Sequence, residues 1–481
     1  MENIGDNAPR NTDSILATRY ASQEMILIFS EKKKHQTWRK LWVDLAKAEK
    51  RLGLPITDEQ IQEMEANINN IDYDVVRKEE EVKQHDVMAH ISAYGKCCPL
   101  AAPIIHLGAT SCYVKDNADL IIMREGLKVI ESKLFILINL LAEFANNHKD
   151  VATLGYTHFQ PAQLVTVGKR ACLWLQNFIM DFEKIARDYS SIPFLGAKGA
   201  TGTQASFLSL FENDHKRVVD LDNMLTDMNN FESLFVIAGQ TYPRKLDLEI
   251  LNALDGVCVS ANKLATDVRL LSGMNELEEG FGAYQIGSSA MPYKHNPIRS
   301  EKICALGRLV NTLIGNFQQT ASNQWLERTL DDSANRRIVI RDVFLATDSV
   351  IDTSIQVVKG LRVNKAIIAK NVKMHLPFIA TETFLMKMVK KAGVSRQECH
   401  ERLRLLSNEA SENMRNGKEN NLLELIKNDL YFLPIADEIE TIMDPKNFIG
   451  RCKEQVDMFL GTLVGKIYII FQNLDWNKRK E

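Results

Sequence analysis

The placement of proline constrains this chain more than any other feature. Twelve of its 481 residues are proline, and none falls at 104–160, 194–242, 244–291 or 298–376. Proline is the strongest helix breaker, so these intervals leave room for unusually long helices. The residues filling them agree. Leu120, Met123, Leu127, Ile130, Leu134, Leu137 and Leu141 recur at steps of three and four, which predicts a helix over 116–147 with Asp116 and Asn117 as N-cap types. Ile340, Val343, Phe344, Val350, Ile351, Ile355 and Val358 predict a second helix over 334–358. Apolar faces this wide imply burial on several sides within a bundle, and helices this long point to an obligate oligomer. No strand alternation of useful length is read. The expected fold is all-α, in three helical domains at 1–111, 112–363 and 364–481, with "KGLRVNKAIIAKN" marking the second change of character.

Charge and cysteine content narrow the function classes. The net charge is −3 and the pI is near 6.4, which gives no general footprint for nucleic acid or an anionic membrane. A local basic pocket for one small anion stays compatible with those totals. The start, "MENIGDNAPRNTDS", is polar and has no apolar core for export, and the longest apolar run, 134–141, is too short to span a bilayer. None of the eight cysteines forms a C-x-x-C pair, so free thiols in a reducing cytosol are expected, with Cys97 and Cys98 as packing residues. A cytoplasmic protein without metal or cofactor is the expectation. "GAKGATGT" at 196–203 lacks the G-K-[ST] ending of a phosphate-binding loop, and His85 and His90 are five apart, one too many for paired metal ligands on a helix.

Four stretches stand out from the helical background. "LGATSCYVKDNAD" presents Thr110 and Ser111 before a helix start, where free amides and hydroxyls can hold a carboxylate or phosphate. An ordinary helix cap would look the same. "TLGYTHFQPAQ" carries His158, suited to acid–base work, ahead of Pro161, which suits the first turn of a helix. "QIGSSAMPYKHNP" at 285–297 is a small-residue loop with paired serines, Lys294 and Asn296, able to stabilise negative charge. Glycines on both sides would let it open and close. "ERTLDDSANRR" sets Arg328 and Arg337 nine apart with Ser333 between them, and arginine forks grip phosphates and carboxylates. The competing reading is a solvated helix start capped by Asp332 or Ser333.

Together these stretches resemble a known family. "GSSAMPYKHNP" is similar to the mobile signature loop of the fumarase/aspartase superfamily. "TLGYTHFQPAQ" and "HLGATSCYVKDN" resemble its other two active-site segments, in the family's order and separations. The flanks "RTLDDSANRR" and "KGATGTQASF" narrow the resemblance to the adenylosuccinate lyase family, animal type. The resemblance covers nearly the whole chain. It implies a homotetramer whose central helices form one bundle and whose active sites each draw on three chains. It implies adenylosuccinate and SAICAR as substrates, cleaved to fumarate and AMP or AICAR by β-elimination.

Position by position, it implies Ser288 as general base and His158 as general acid. Lys294 and Asn296 would bind the carboxylate that takes up charge, and His85 would assist in positioning beside Asp86. Thr110, Ser111 and Gln240 would hold the succinyl group. Arg19, Tyr20, Arg328, Ser333 and Arg337 would surround the nucleotide, chiefly its phosphate. Gln84, His295 and Lys302 stand where the family pattern has arginine, which bears on the phosphate grip because lysine lacks the bidentate fork. Argininosuccinate or fumarate lyases are the sister alternatives, disfavoured by the arginines of 328–337. A recruited structural protein is the alternative from another class, disfavoured by the presence of Ser288 and His158. The C-terminal region carries no chemical motif, and its polar stretch at 414–421 and basic tail at 477–481 are read as solvated.

Overall fold

The protein is described by a computed structural model covering residues 14–282 and 284–473. The basic tail at 477–481 lies outside the described residues. The described residues are predominantly helical, which agrees with the all-α expectation. Its principal helices are α1 (Glu31–Arg51), α2 (Asp86–Cys97), α3 (Ser111–Asn147), α4 (Val167–Ser191), α5 (Lys245–Gly273), α6 (Ile298–Ser322), α7 (Asp332–Gly360) and α8 (Lys365–Ile379). No described helix is long and apolar enough to cross a membrane.

Two compact units organise these elements. The first holds residues up to 134 together with 181–262 and 302–353. Its core is the apolar stripe read from the sequence: Leu120, Met123, Leu127, Ile130 and Leu134 of α3, and Val343, Phe344, Val350 and Ile351 of α7, are all fully buried. Gly126 lets the two helices close up, because a Cβ there would sit 2.8 Å from the Phe344 ring. Trp38, Leu41, Trp42 and Leu45 bury one face of α1, whose start is capped by Ser30 Oγ accepting from Lys33 N.

The second unit holds 135–180, 263–301 and the residues from 354 onward. It contains a two-stranded antiparallel hairpin, β1 (Ala152–Thr157) and β2 (Gln160–Thr166), and a minimal pair, β3 (Leu277–Glu278) with β4 (Arg362–Val363). A separate apolar cluster around Phe384, Met388, Leu403, Ile426 and Phe432 packs its C-terminal helices.

Three expectations are corrected. First, a hairpin exists where no strand was expected. Its strands are six and seven residues long, and a register irregularity between Leu154 and Tyr156 erases the alternation that would reveal them. Second, Pro161 does not open a helix. It sits in β2 opposite Tyr156, and α4 begins only at Val167. Third, α3 starts at Ser111, five residues before the expected cap. Asp116 and Asn117 are buried inside it, and Asn117 Oδ1 accepts from the amides of Leu195 and Gly196.

Candidate active site

In the first unit, His85 sits between two helices. Residue 84 ends the helix Tyr73–Lys83 in a left-handed conformation (φ 50°), so the chain turns sharply and His85 becomes the N-cap of α2. Nδ1 of His85 accepts from Met88 N at 3.3 Å, which leaves its Nε2 3.2 Å from Ser111 Oγ at the first residue of α3. That pattern selects the tautomer with the proton on Nε2, so the ring donates to Ser111. Gln84 is exposed and donates back to Glu81 O.

Asp86, beside it, accepts from Lys115 at 2.8 Å and Arg337 at 2.7 Å. Burial would push its carboxyl up, but these two cations override burial and hold it well below the usual carboxylate range. Asp86 thus ties the start of α2 to α3 and α7.

The arginine segment forms the second part of this unit's site. Arg328, Ser333 and Arg337 line one cavity of about 90 Å³ together with Lys34 and Lys115. Arg328 donates to Asp332 at 2.8 Å, and Asp332 also accepts from buried Arg244 at 2.6 Å. Arg244 in turn reaches Asp116 at 2.8 Å. Gln240 donates to Ala200 O, and its Oε1 accepts from Cys112 Sγ. Thr110 directly precedes α3 and is half-buried. Arg19 and Tyr20 close a short helical turn, Leu16–Tyr20, and Lys302 Nζ lies 6.0 Å from the centre of the Tyr20 ring. The lysine that replaces arginine at 302 therefore still places a cation at the tyrosine.

In the second unit, His158 and Phe159 form the two-residue tip of the β1–β2 hairpin, with φ of 51° and 58°. Positive φ at both central residues is the type I′ pattern, which ordinarily selects Asn-Gly. Histidine tolerates that region better than most residues, but the bulky phenylalanine is held there against its preference, and both are exposed.

The small-residue loop spans the gap between β3 and α6. Ser288 Oγ accepts from the amides of Ala290 (3.3 Å) and Met291 (3.1 Å). Asn296 Nδ2 donates to Gly287 O at 2.8 Å, and a Cβ at Gly287 would lie 2.0 Å from Lys294 O, so the two ends of the loop are pinched together at a glycine. Lys294 is exposed. His295 stacks on Phe281 with ring centres 4.2 Å apart.

Several structural partners of the site went unread in the sequence. Glu279 is almost fully buried and accepts from Arg299 N, Ser300 N and Ser300 Oγ, while Arg299 reaches Gly280 O and Gln285. These contacts join the two roots of the loop. Lys115, Arg244 and Asp332 orient the arginine cavity in the same way. Lys115 reaches Asp86, and Arg244 reaches both Asp116 and Asp332, across long stretches of sequence, and spacing along the chain carries no signal for such bonds.

Comparison with known proteins places this geometry. A family model described as "Lyase" matches residues 18–310, more than half of the chain. A 3-carboxy-cis,cis-muconate lactonizing enzyme from Pseudomonas putida superposes with a TM-score of 0.83 at 19% identity, covering 95% of this chain and 99% of that one. A fumarate lyase from Mesorhizobium sp. BNC1 gives 0.78 at 23% identity, covering 92% and 98%. The fold and the lyase match define the class, a lyase of the fumarase/aspartase superfamily.

A second model, "Adenylosuccinate lyase C-terminus", matches residues 377–459. Curated proteins named adenylosuccinate lyase are 47% identical in Schizosaccharomyces pombe (95% of this chain, 96% of that one) and 48% identical in Schistosoma mansoni (93% and 94%). The Saccharomyces cerevisiae protein of that name is 47% identical, covering 94% of each. The chain belongs to the adenylosuccinate lyase family.

Proposed function

We propose that this chain cleaves adenylosuccinate to AMP and fumarate, and SAICAR to AICAR and fumarate, as a step of purine nucleotide biosynthesis. The reaction is a β-elimination. Ser288, as the alkoxide, takes the proton from the carbon next to a carboxylate. The electron pair left behind is delocalised into that carboxylate as a dianion, then forms the carbon–carbon double bond as the carbon–nitrogen bond breaks. His158 supplies the proton to the departing nitrogen.

The observation that carries this reading is the pair of backbone amides aimed at Ser288 Oγ. Two N–H donors favour the charged oxygen over the neutral hydroxyl, which is what a serine base needs. Lys294 and Asn296, in the same loop, are suited to the carboxylate that receives the charge. His85, donating to Ser111 and tied into position through Asp86, suits a supporting role toward the succinyl end, together with Thr110 and Gln240. The cation-rich cavity of Arg328, Ser333 and Arg337 suits the single phosphate of the nucleotide, and Arg19, Tyr20, Lys302 and Gln84, which do not line that cavity, are assigned to the rest of the substrate.

A homotetramer with shared sites fits the exposed apolar residues on the long helices, among them Met180 on α4, Val259 on α5 and Ile338 on α7. The three-domain division at 111 and 363 fits the start of α3 at Ser111 and the end of β4 at Val363. Eight cysteines outside any disulfide suit a cytoplasmic location.

The test is fumarate release from adenylosuccinate by the purified protein, with Ser288→Ala alongside. The native chain is expected to release fumarate and the variant to lose about 10²–10⁴-fold in kcat. No release by the folded native protein removes adenylosuccinate as substrate. Release that survives the substitution removes Ser288 as base.

A further inference from the structure

The cavity that holds Arg328 and Arg337 contains one more cation than its carboxylates satisfy. Arg328 and Arg244 share Asp332, and Arg244 also reaches Asp116. Arg336 is held by Asp247 and Asp119. Lys115 and Arg337 share Asp86, and Lys34 faces Glu31 at 3.5 Å. Arg341 lines the same cavity and is the exception among the cations that line it. Its Nε and one terminal nitrogen are buried with no hydrogen-bond partner. The adjacent Asp342 feels its charge but forms no ion pair with it.

Two buried donors left idle on a half-buried arginine are costly, and such groups are ordinarily satisfied by an acceptor. The cavity has room for one: its volume of about 90 Å³ exceeds by several-fold the ~10–15 Å³ that admits a single water. Arg341 lies four residues after Arg337 on α7, so the two side chains rise from one face of the helix about 6 Å apart along its axis. Two arginine forks at that spacing, one exposed and one enclosed, suit two linked tetrahedral anions better than one.

We propose that Arg341 forms a second anion subsite behind the substrate's phosphate position, so that the cavity takes a diphosphate group in preference to a single phosphate. The position of the first subsite rests on the proposed substrate reading; the second rests on Arg341. Diphosphate-bearing metabolites would then compete with the monophosphate substrate for the same cavity.

The test is calorimetric titration of the native oligomer with inorganic diphosphate and, separately, orthophosphate, with no substrate present. Native protein is expected to bind diphosphate at least about tenfold more tightly than orthophosphate, the margin of one charge-assisted pair of hydrogen bonds. Arg341→Met is expected to bring the two affinities close together. Arg341→Lys keeps the charge without the fork, protects against simple misfolding, and is expected to fall between. Lys216→Met, an exposed helix position, controls for net charge and is expected to leave the ratio unchanged. Equal affinities in the native protein, or a ratio that survives Arg341→Met, overturns the subsite. No turnover is measured, so a failure of the adenylosuccinate reading shows in the fumarate assay and leaves this result to stand on its own.

Discussion

Glu279→Gln is the substitution that tests most directly how the loop at 285–297 is held. Glu279 Oε1 accepts from Arg299 N at 2.8 Å, and Oε2 accepts from Ser300 N at 2.9 Å and Ser300 Oγ at 2.8 Å. Glu279 stands before the loop, while Arg299 and Ser300 belong to the first turn of α6 just after it. The carboxylate therefore acts as the cap of α6 from the far end of the loop and fixes the separation of its two roots. Glutamine has nearly the same shape. It keeps one oxygen acceptor, but its amide group presents donors to at least one N–H that previously donated, and it loses the charge. Hydrogen bonds to a charged group are worth about 1.5–3 kcal/mol, so a loss near 3 kcal/mol at the root is expected, with unfolding of the whole chain not required. If the loop must be in its ordered form for Ser288 to act, that loss lowers the competent population by roughly a hundredfold. The expected readout is a fall of about that size in kcat, together with faster amide hydrogen exchange across residues 284–297 and an unchanged far-ultraviolet spectrum. A variant that keeps its kcat within about threefold while the loop amides remain protected refutes the clasp; the threefold limit corresponds to less than 1 kcal/mol.

Two other outcomes follow from the same structure. Gly202 has φ of 81°, and a Cβ there would lie 1.8 Å from Ala238 O, two residues before Gln240. Gly202→Ala is expected to cost about 3 kcal/mol in stability, read as a lowered thermal midpoint, and to displace Gln240, which would weaken substrate binding under the proposed reading. Glu49 is fully buried with both oxygens unpaired, and burial raises its carboxyl from 4.5 to about 8. Between those values the unfolded chain has released the proton that the folded chain retains, so stability falls as pH rises, at roughly 1.4 kcal/mol per unit. Glu49→Gln should flatten that slope and raise the thermal midpoint at pH 8; parallel curves for the two proteins would sink the assignment.

How much of this was legible in the sequence depends on the range of the interaction. The two long apolar helices were readable because periodicity is local: α7 runs from Asp332 to Gly360 against an expected 334–358. The start of α3 was misread because Asp116 and Asn117 have the chemistry of caps but spend it elsewhere, on Tyr242 N and Arg244 and on the amides of Leu195 and Gly196. Both residues could be seen; their partners, about 80 to 130 positions away, could not. The β1–β2 hairpin escaped for a different reason. Its tip uses His158 and Phe159 in a conformation that local propensity assigns to Asn-Gly, and the bulge hides the strand period. The place where sequence reasoning failed is thus the place where the proposed acid is presented, consistent with strain gathering at functional positions.

The same contrast explains the arrangement of the arginines. A cavity meant for a phosphate could leave its cations free, which would maximise attraction but leave long side chains unordered. Here Arg328 is steered by Asp332 and Arg337 by Asp86, and Asp332 is itself fixed by buried Arg244. The carboxylates reduce the net field an incoming anion meets, so affinity for any single anion is lower than the cation count suggests. In exchange the forks are held in place before binding, and less rotamer freedom is lost when the anion arrives. The Asp86 link carries a second consequence. Asp86 is the first residue of α2, and His85, its N-cap, donates to Ser111 on α3. An anion that draws Arg337 away from Asp86 would therefore loosen the tie between α7 and the start of α2, the turn that His85 caps.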